Sequence, residues 1–200
     1  DTSFSDSVYI TATSTIGPQS WGTAVTKTSG TFNNMWMVVA STNPSAQSDT
    51  TFTGLTADRR YRLTWSFIKN TAGQIYIRFN SDVGSNYKWV ASAVNTNGGA
   101  TSFTASNSAT FCQTVAGAPA LTANTNQDEG EFVFVPRPSD TTIVSGHAQH
   151  TIEDGNPFLW TNQSACKYDG SSAVTSINLV ASAGTYTGFV YLEEMIVPNP

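Results

Sequence analysis

"YRLTWSFIKNTAGQIYIRF", residues Tyr61 to Phe79, decides the fold class. Tyr61, Leu63, Trp65 and Phe67 stand at alternate positions, with Arg62, Thr64 and Ser66 between them. Side chains on a strand point to opposite faces in turn, so this pattern makes one apolar face and one polar face. "KNTAG" follows, rich in turn formers. Ile75, Ile77 and Phe79 then alternate with Tyr76 and Arg78. Two alternating runs around a short Asn/Gly-bearing link read as a β-hairpin with one face in a core.

Working outward, the same alternation marks strands at 7–11, 35–40, 87–91, 131–135, 157–161, 176–180 and 186–192. In "AVTSINLVASAGTYTGFVYLEE", Ser182-Ala183-Gly184 supplies a turn. Short strands at intervals of roughly ten to fifteen residues, punctuated by Gly, Asn and Pro, indicate an all-β fold. The expected architecture is an antiparallel β-sandwich, in its commonest form a jelly roll. No stretch of ten residues or more combines helical periodicity with helix-forming composition. The segment 95–130 is small, polar and Gly-bearing, and reads as a loop-rich insert of short edge strands, because structureless loops of that length are uncommon in compact domains. One domain over 1–200 is expected. It has an N-terminal arm and first strand at 1–16 and a tail at 195–200, where Pro198 and Pro200 cannot continue a central strand.

Composition narrows the function classes. The chain has 200 residues with 39% hydrophobic and 12% aromatic content, enough apolar material for a substantial core. Charged residues are only 12%, and Ser and Thr are abundant. Net charge is −5, and the basic residues form no cluster beyond Arg59-Arg60. Phosphate neutralisation needs a clustered positive surface, so nucleic acid is not an expected partner. No apolar run reaches the roughly 18 residues that a membrane helix requires. The N-terminal "DTSFSDSVYI" has neither the basic nor the apolar region of a secretory signal. Cys112 and Cys166 read as free thiols rather than a bridge, because a core of this size needs no staple.

The motifs that could carry chemistry each have a plainer reading. Asn80, Asp82, Gly84 and Asn86 in "NSDVGSN" resemble the start of a calcium loop. Ala91, however, stands at the twelfth position, where a bidentate Glu is required. These are also the residues that make tight turns, and an exposed turn is expected. His147 and His150 lie on a strand-like segment whose spacing places them on opposite faces, and no third zinc ligand accompanies them. Asp128-Glu129, Glu131 and Glu193-Glu194 are neighbours in sequence rather than a pair converging across a cleft. Asn162-Gln163-Ser164 matches a glycosylation tripeptide, as a chain rich in these residues does by chance. No catalytic residue, metal ligand or cofactor is assigned. Tyr87 and Trp89 share a strand face and, with Trp36, are candidate platforms for stacking a glycan; Trp160 is a further aromatic of that kind.

Two blocks resemble a recurring all-β domain in virion proteins of tailed bacteriophages. That domain carries a strand of the type R-F-N-x-D-x-G-x-N-Y, matched here by Arg78, Phe79, Asn80, Asp82, Gly84, Asn86 and Tyr87. It closes with a block matched by Ile177, Leu179, Gly184, Tyr186 and Gly188. The resemblance runs from about Phe52 to Glu194; Glu193 stands where a Gly often does, and the cysteines have no counterpart. It implies a non-enzymatic jelly-roll protein on the outside of the particle: a capsid decoration protein, a head fibre or a receptor-binding tip. Such proteins are often homotrimers, assembled in the host cytoplasm, with the major capsid protein or other virion proteins as partners. Val8, Ile10, Ile196 and Val197 are the candidate docking residues, on the arm and the tail. The rival expectation is a module that binds a bacterial surface glycan through Tyr87, Trp89 or Trp36.

Overall fold

The computed structural model describes residues 35–71, 73–95, 101–114, 127–136, 144–154 and 158–196, the side chains of 35, 95, 101, 144–154 and 158–160 excepted. All of these residues but Met35 belong to the compact unit Trp36–Ile196. Val8, Ile10, Val197 and the expected strand at 7–11 lie outside them, as does most of the arm and tail.

Every regular element among the described residues is a strand. In chain order these are β1 (Met35–Thr42), β2 (Asp49–Thr53), β3 (Tyr61–Lys69), β4 (Ile75–Phe79), β5 (Tyr87–Asn95), β6 (Thr101–Ala109), β7 (Cys112–Gln113), β8 (Gln127–Phe134), β9 (Val144–Asp154), β10 (Phe158–Tyr168), β11 (Ser176–Ala181) and β12 (Tyr186–Ile196). They form an eight-stranded sheet, β1-β12-β3-β8-β9-β10-β5-β6, and a four-stranded sheet, β2-β11-β4-β7. If the hairpins β5–β6 and β9–β10 are set aside, the remaining eight strands change sheet at every step along the chain except from β4 to β7, which are neighbours in the small sheet. Their orders, β1-β12-β3-β8 and β2-β11-β4-β7, are those of a jelly roll built from two Greek keys. The two extra hairpins interleave through the β10–β5 pairing and widen the large sheet on the β8 side.

The strands of the opening stretch are correct, but they do not form a hairpin. β3 pairs with β12 and β8, whereas β4 pairs with β11 and β7 in the other sheet. Tyr61, Leu63, Trp65 and Phe67 therefore face Ile75, Ile77 and Phe79 across the core, all of them buried. The closing pair behaves alike, with β11 in the small sheet and β12 in the large one. The two crossing links are tied to each other. Asn70 N–H donates to Thr185 O (3.0 Å), and Ser182 N–H donates to Gln74 O (2.8 Å). Thr185 N–H donates to Asn70 Oδ1 (2.7 Å), and Gln74 N–H to Ser182 Oγ (2.7 Å). Gly184 takes φ +64° there, and a Cβ on it would fall 2.5 Å from Asn70 Oδ1.

Aromatic packing fills the space between sheets: Phe79 lies against Phe132, Phe134 and Tyr168, and Phe67 stacks on Tyr186. Burial raises the Tyr186 phenol, which donates to Leu179 O or Thr50 Oγ1 inside the core.

Cys112 and Cys166 are not free thiols; they form a disulfide. Cys112 stands on β7 at the edge of the small sheet and Cys166 on β10 of the large one, with Cα atoms 5.6 Å apart. The bridge is a buried inter-sheet link, a placement invisible until both sheets are assembled. Sequence reasoning weighed only whether the core needed a staple, and need does not fix proximity.

Candidate functional site

The "NSDVGSN" turn is occupied by its own hydrogen bonds. Asp82 N–H donates to Phe79 O (2.9 Å), with φ positive at Asn80 (53°) and Ser81 (54°), the signature of a type I′ turn. Asn80 Oδ1 accepts from the N–H groups of Thr175 and Ser176 (2.9 and 3.2 Å), and its Nδ2 donates to Ala173 O (2.8 Å). Asp82 accepts from Gly84 N–H (2.7 Å) through Oδ1, and from Asn86 Nδ2 (2.8 Å) and Tyr168 O–H (2.9 Å) through Oδ2. Burial works to raise the Asp82 carboxyl, but those three donors outweigh it and hold the group below the usual carboxylate range. Tyr87 is buried, and its hydroxyl accepts from Phe79 N–H (3.0 Å). Burial pushes its phenol well above the ordinary value. The motif residues Phe79, Asn80, Asp82, Gly84, Asn86 and Tyr87 thus seal one end of the sandwich. Their conformation is a structural requirement of the turn and leaves Asp82 no oxygen without a donor.

The three proposed glycan platforms separate. Tyr87 is 0% exposed and cannot stack on anything outside the fold. Trp89 is half-buried against the core, and its indole nitrogen is buried without a hydrogen-bond partner among the described residues. Trp36 is half-buried on β1, with the Arg62 guanidinium 4.7 Å from its ring centroid and that of Arg60 at 6.0 Å. The Trp160 side chain lies outside the described residues. Asn162 is fully buried on β10, so the glycosylation tripeptide is closed to modification in the folded chain. Ile196 is half-buried at the end of β12.

Beside Trp36, the outer face of the large sheet carries a groove of about 380 Å³ lined by Val38, Arg62, Thr64, Glu131, Tyr191 and Glu193. Register places Tyr191, Thr64 and Glu131 in one row across β12, β3 and β8, with Glu193 and Arg62 in the next row. Arg62 is the hub. Its Nε and Nη2 donate to the two oxygens of Glu193 (2.6 and 3.0 Å), and its Nη1 lies 3.7 Å from Glu131 Oε2. Thr64 O–H adds a bond to Glu193 Oε2 (3.2 Å). The hydrogen-bonded Glu193 carboxylate raises the already high Arg62 pKa. Two carboxylates therefore do share a groove, which sequence neighbours alone did not suggest. Arg62 sits between them, where the scissile bond of a glycoside would have to lie.

A second charged pair is internal. Lys69 on β3 and Asp128 on β8 are both buried (1% and 0% exposed) on the face that turns toward the core. Asp128 accepts from the Trp65 indole N–H (2.9 Å), and Lys69 Nζ lies 3.5 Å from Gln74 O. Burial lowers the Lys69 pKa to about 8, and the Asp128 charge opposes that fall. His147 and His150 stand on β9, with Ala165 and Asn162 of β10 as their register partners. Among the described residues no three of His, Cys, Asp and Glu gather into a group that could hold a metal ion.

Where the large sheet runs past the small one, the outer face beyond Lys88 carries exposed apolar side chains among hydroxyl-bearing residues. Val90 and Val94 on β5 and Phe103 on β6 are exposed there, Phe103 at 76%. Their register partners are Ala105, Thr101 and Ser92. Sequence reasoning missed this surface because the segment 95–130 reads as loop and Phe103 is its one large side chain before Phe111.

No family model and no curated protein matches the chain. Among solved structures, a double mutant of the alginate lyase Aly36B in complex with an alginate trisaccharide is similar at 12% identity, covering 82% of each chain with a TM-score of 0.23. A likeness of that depth carries no argument, so the fold assignment rests on the strand order itself.

Proposed function

We propose that this chain is a non-enzymatic structural protein of a bacteriophage particle, a capsid decoration or head-fibre protein that docks on virion proteins and on its own copies. The observation that supports it best is the exposed apolar patch on the outer face of the widened sheet around Val90, Val94 and Phe103. Apolar side chains gathered on one face of a rigid sheet are a docking surface rather than a reaction centre. The sequence resemblance agrees with this reading, since its motif residues serve the scaffold. Arg62 between Glu131 and Glu193 argues in the same direction, because a paired guanidinium occupies the space that a substrate would need.

The inter-sheet disulfide fits a protein exposed outside the cell: a buried bridge persists under oxidising conditions, and the cytosol keeps thiols reduced. In this reading the chain assembles in the host cytoplasm and the bridge closes after release. Co-sedimentation of the purified chain with phage heads, followed by image reconstruction, tests the proposal. Ordered density at repeating positions on the head is expected, and failure to bind heads or any other virion part would overturn it.

A second reading, glycan binding, is favoured by one feature: Trp36 beside the polar groove of Arg62, Thr64 and Tyr191. Tryptophan-fluorescence titration with bacterial surface polysaccharides, compared between the native chain and Trp36→Ala, decides it. A saturable change that the variant lacks is expected, and no change with any polysaccharide removes the reading.

A further inference from the structure

β6 is the last strand of the large sheet on the widened side, hydrogen-bonded to β5 alone among the described strands. Its sequence, TSFTASNSA, contains no charge and no proline over nine residues. Edge strands of soluble proteins are ordinarily blunted by charges, prolines or bulges, because an open row of N–H and C=O groups pairs with any compatible strand. The register with β5 shifts between Tyr87 and Trp89, a bulge that distorts only the far end of β6. Thr101 to Ala105 remain regular, and Phe103 stands 76% exposed at their centre.

We propose that this edge pairs with the same edge of a second copy of the chain, antiparallel about a two-fold axis at Phe103. The proposal deepens the self-association part of the function proposed above, and assigns a surface to it. Two features favour a second copy over another occupant.

The first is electrostatic. The chain carries net charge −5, so copies repel at most approaches. The described carboxylates stand on β2, β8, β9, β12 and the loops, leaving β6 and β5 themselves without an acid, with β10 between β5 and the acids Glu153 and Asp154 of β9. This is a face where like-charged copies can meet without opposing carboxylates.

The second is self-complementarity. A two-fold contact places residues i and j opposite each other in both directions. Centred on Phe103, the pairing sets Phe103 against its own mate, Ser102 against Thr104, and Thr101 against Ala105. Aromatic pairs and hydroxyl pairs are favourable cross-strand partners. The contact would cover two exposed phenylalanines at once and join two eight-stranded sheets into one. The paired segment is short, so a reversible dimer is expected rather than an obligate one.

Sedimentation velocity of the full chain across a concentration series tests this. The native chain is expected to shift from monomer toward dimer as concentration rises. Phe103→Lys should remain monomeric with an unchanged thermal midpoint. Phe189→Lys, at an exposed apolar site on β12 of the same sheet, should still dimerise. Because Phe103 faces its own mate, mixing Phe103→Lys with Phe103→Glu should restore association as a heterodimer. A native chain that stays monomeric overturns the proposal. So does a Phe103→Lys chain that still associates, or a trimer indifferent to position 103. Head binding measured in parallel keeps the two proposals apart: a native chain that decorates heads but stays monomeric in solution overturns the edge pairing alone, and one that dimerises through position 103 but binds no virion part overturns the function alone.

Discussion

Replacing Cys112 and Cys166 together by alanine removes the covalent link between the sheets without burying a new polar group. The bridge closes a loop with a sequence separation of 54 residues. Loop-closure entropy for that length corresponds to about 4 kcal/mol at 25 °C, acting through the unfolded chain. For a chain of this size each kcal/mol moves the thermal midpoint by roughly 2–4 °C, so a fall of about 8–16 °C is expected. The assay is thermal unfolding followed by far-UV circular dichroism, the native chain against the double variant. The native chain denatured without reductant should show no titratable thiol. Because both sulfurs lie in the core, reductant should act on the folded protein only through opening of the sandwich, and faster as denaturant is added. A midpoint shift smaller than about 3 °C would refute the loop-closure reasoning, and two free thiols in the unreduced chain would refute the bridge itself.

Three further outcomes are expected. Lys69 titrates near 8 when folded and near its ordinary 10.5 when unfolded, so the unfolded chain binds more protons between those values. Stability should therefore rise with pH across that window, by up to about 2 kcal/mol between pH 7 and 9.5 in urea unfolding, and the rise should vanish in Lys69→Met. Gly188→Ala places a Cβ 2.2 Å from Ser66 O and 2.6 Å from Phe67 Cα, backbone atoms that cannot yield; a loss above about 3 kcal/mol or failure to fold is expected, read by denaturant midpoint. Asn80→Ala removes four hydrogen bonds and leaves alanine at φ +53°, for a cost of about 2–3 kcal/mol, whereas Asn80→Gly should recover about 1 kcal/mol of it by relieving the backbone alone.

The candidate surfaces were legible to different degrees. The polar turn is readable because Asn, Asp and Gly act on their own neighbours, and its structural role follows from residues a few positions apart. Its partners Ala173, Thr175 and Asn178 are not readable, lying more than ninety residues on. The Arg62 groove assembles from β1, β3, β8 and β12, whose sequence order says nothing of their adjacency. The aromatic platform failed for Tyr87 because alternation fixes which residues share a face without saying whether that face meets solvent or the opposite sheet. β2, with the sequence DTTFT, escaped notice since a single Phe in a polar pentapeptide carries little periodic signal.

Side-chain alternation is a property of each strand's own backbone, so the sequence by itself determined that strands with one apolar face each run through 61–68, 75–79, 176–180 and 186–192, the last of which the structure extends to Ile196, into the expected tail. Which strands pair is a different matter. A five-residue link can fold β3 back beside β4 or carry the chain across to the facing sheet, and both arrangements bury the same residues. The choice depends on competition among all strands for partners, settled here by β12 and β8 flanking β3 and by β11 and β7 flanking β4. Only that tertiary outcome brought Cys112 to Cys166, set Arg62 between two glutamates, and left β6 as an uncharged edge.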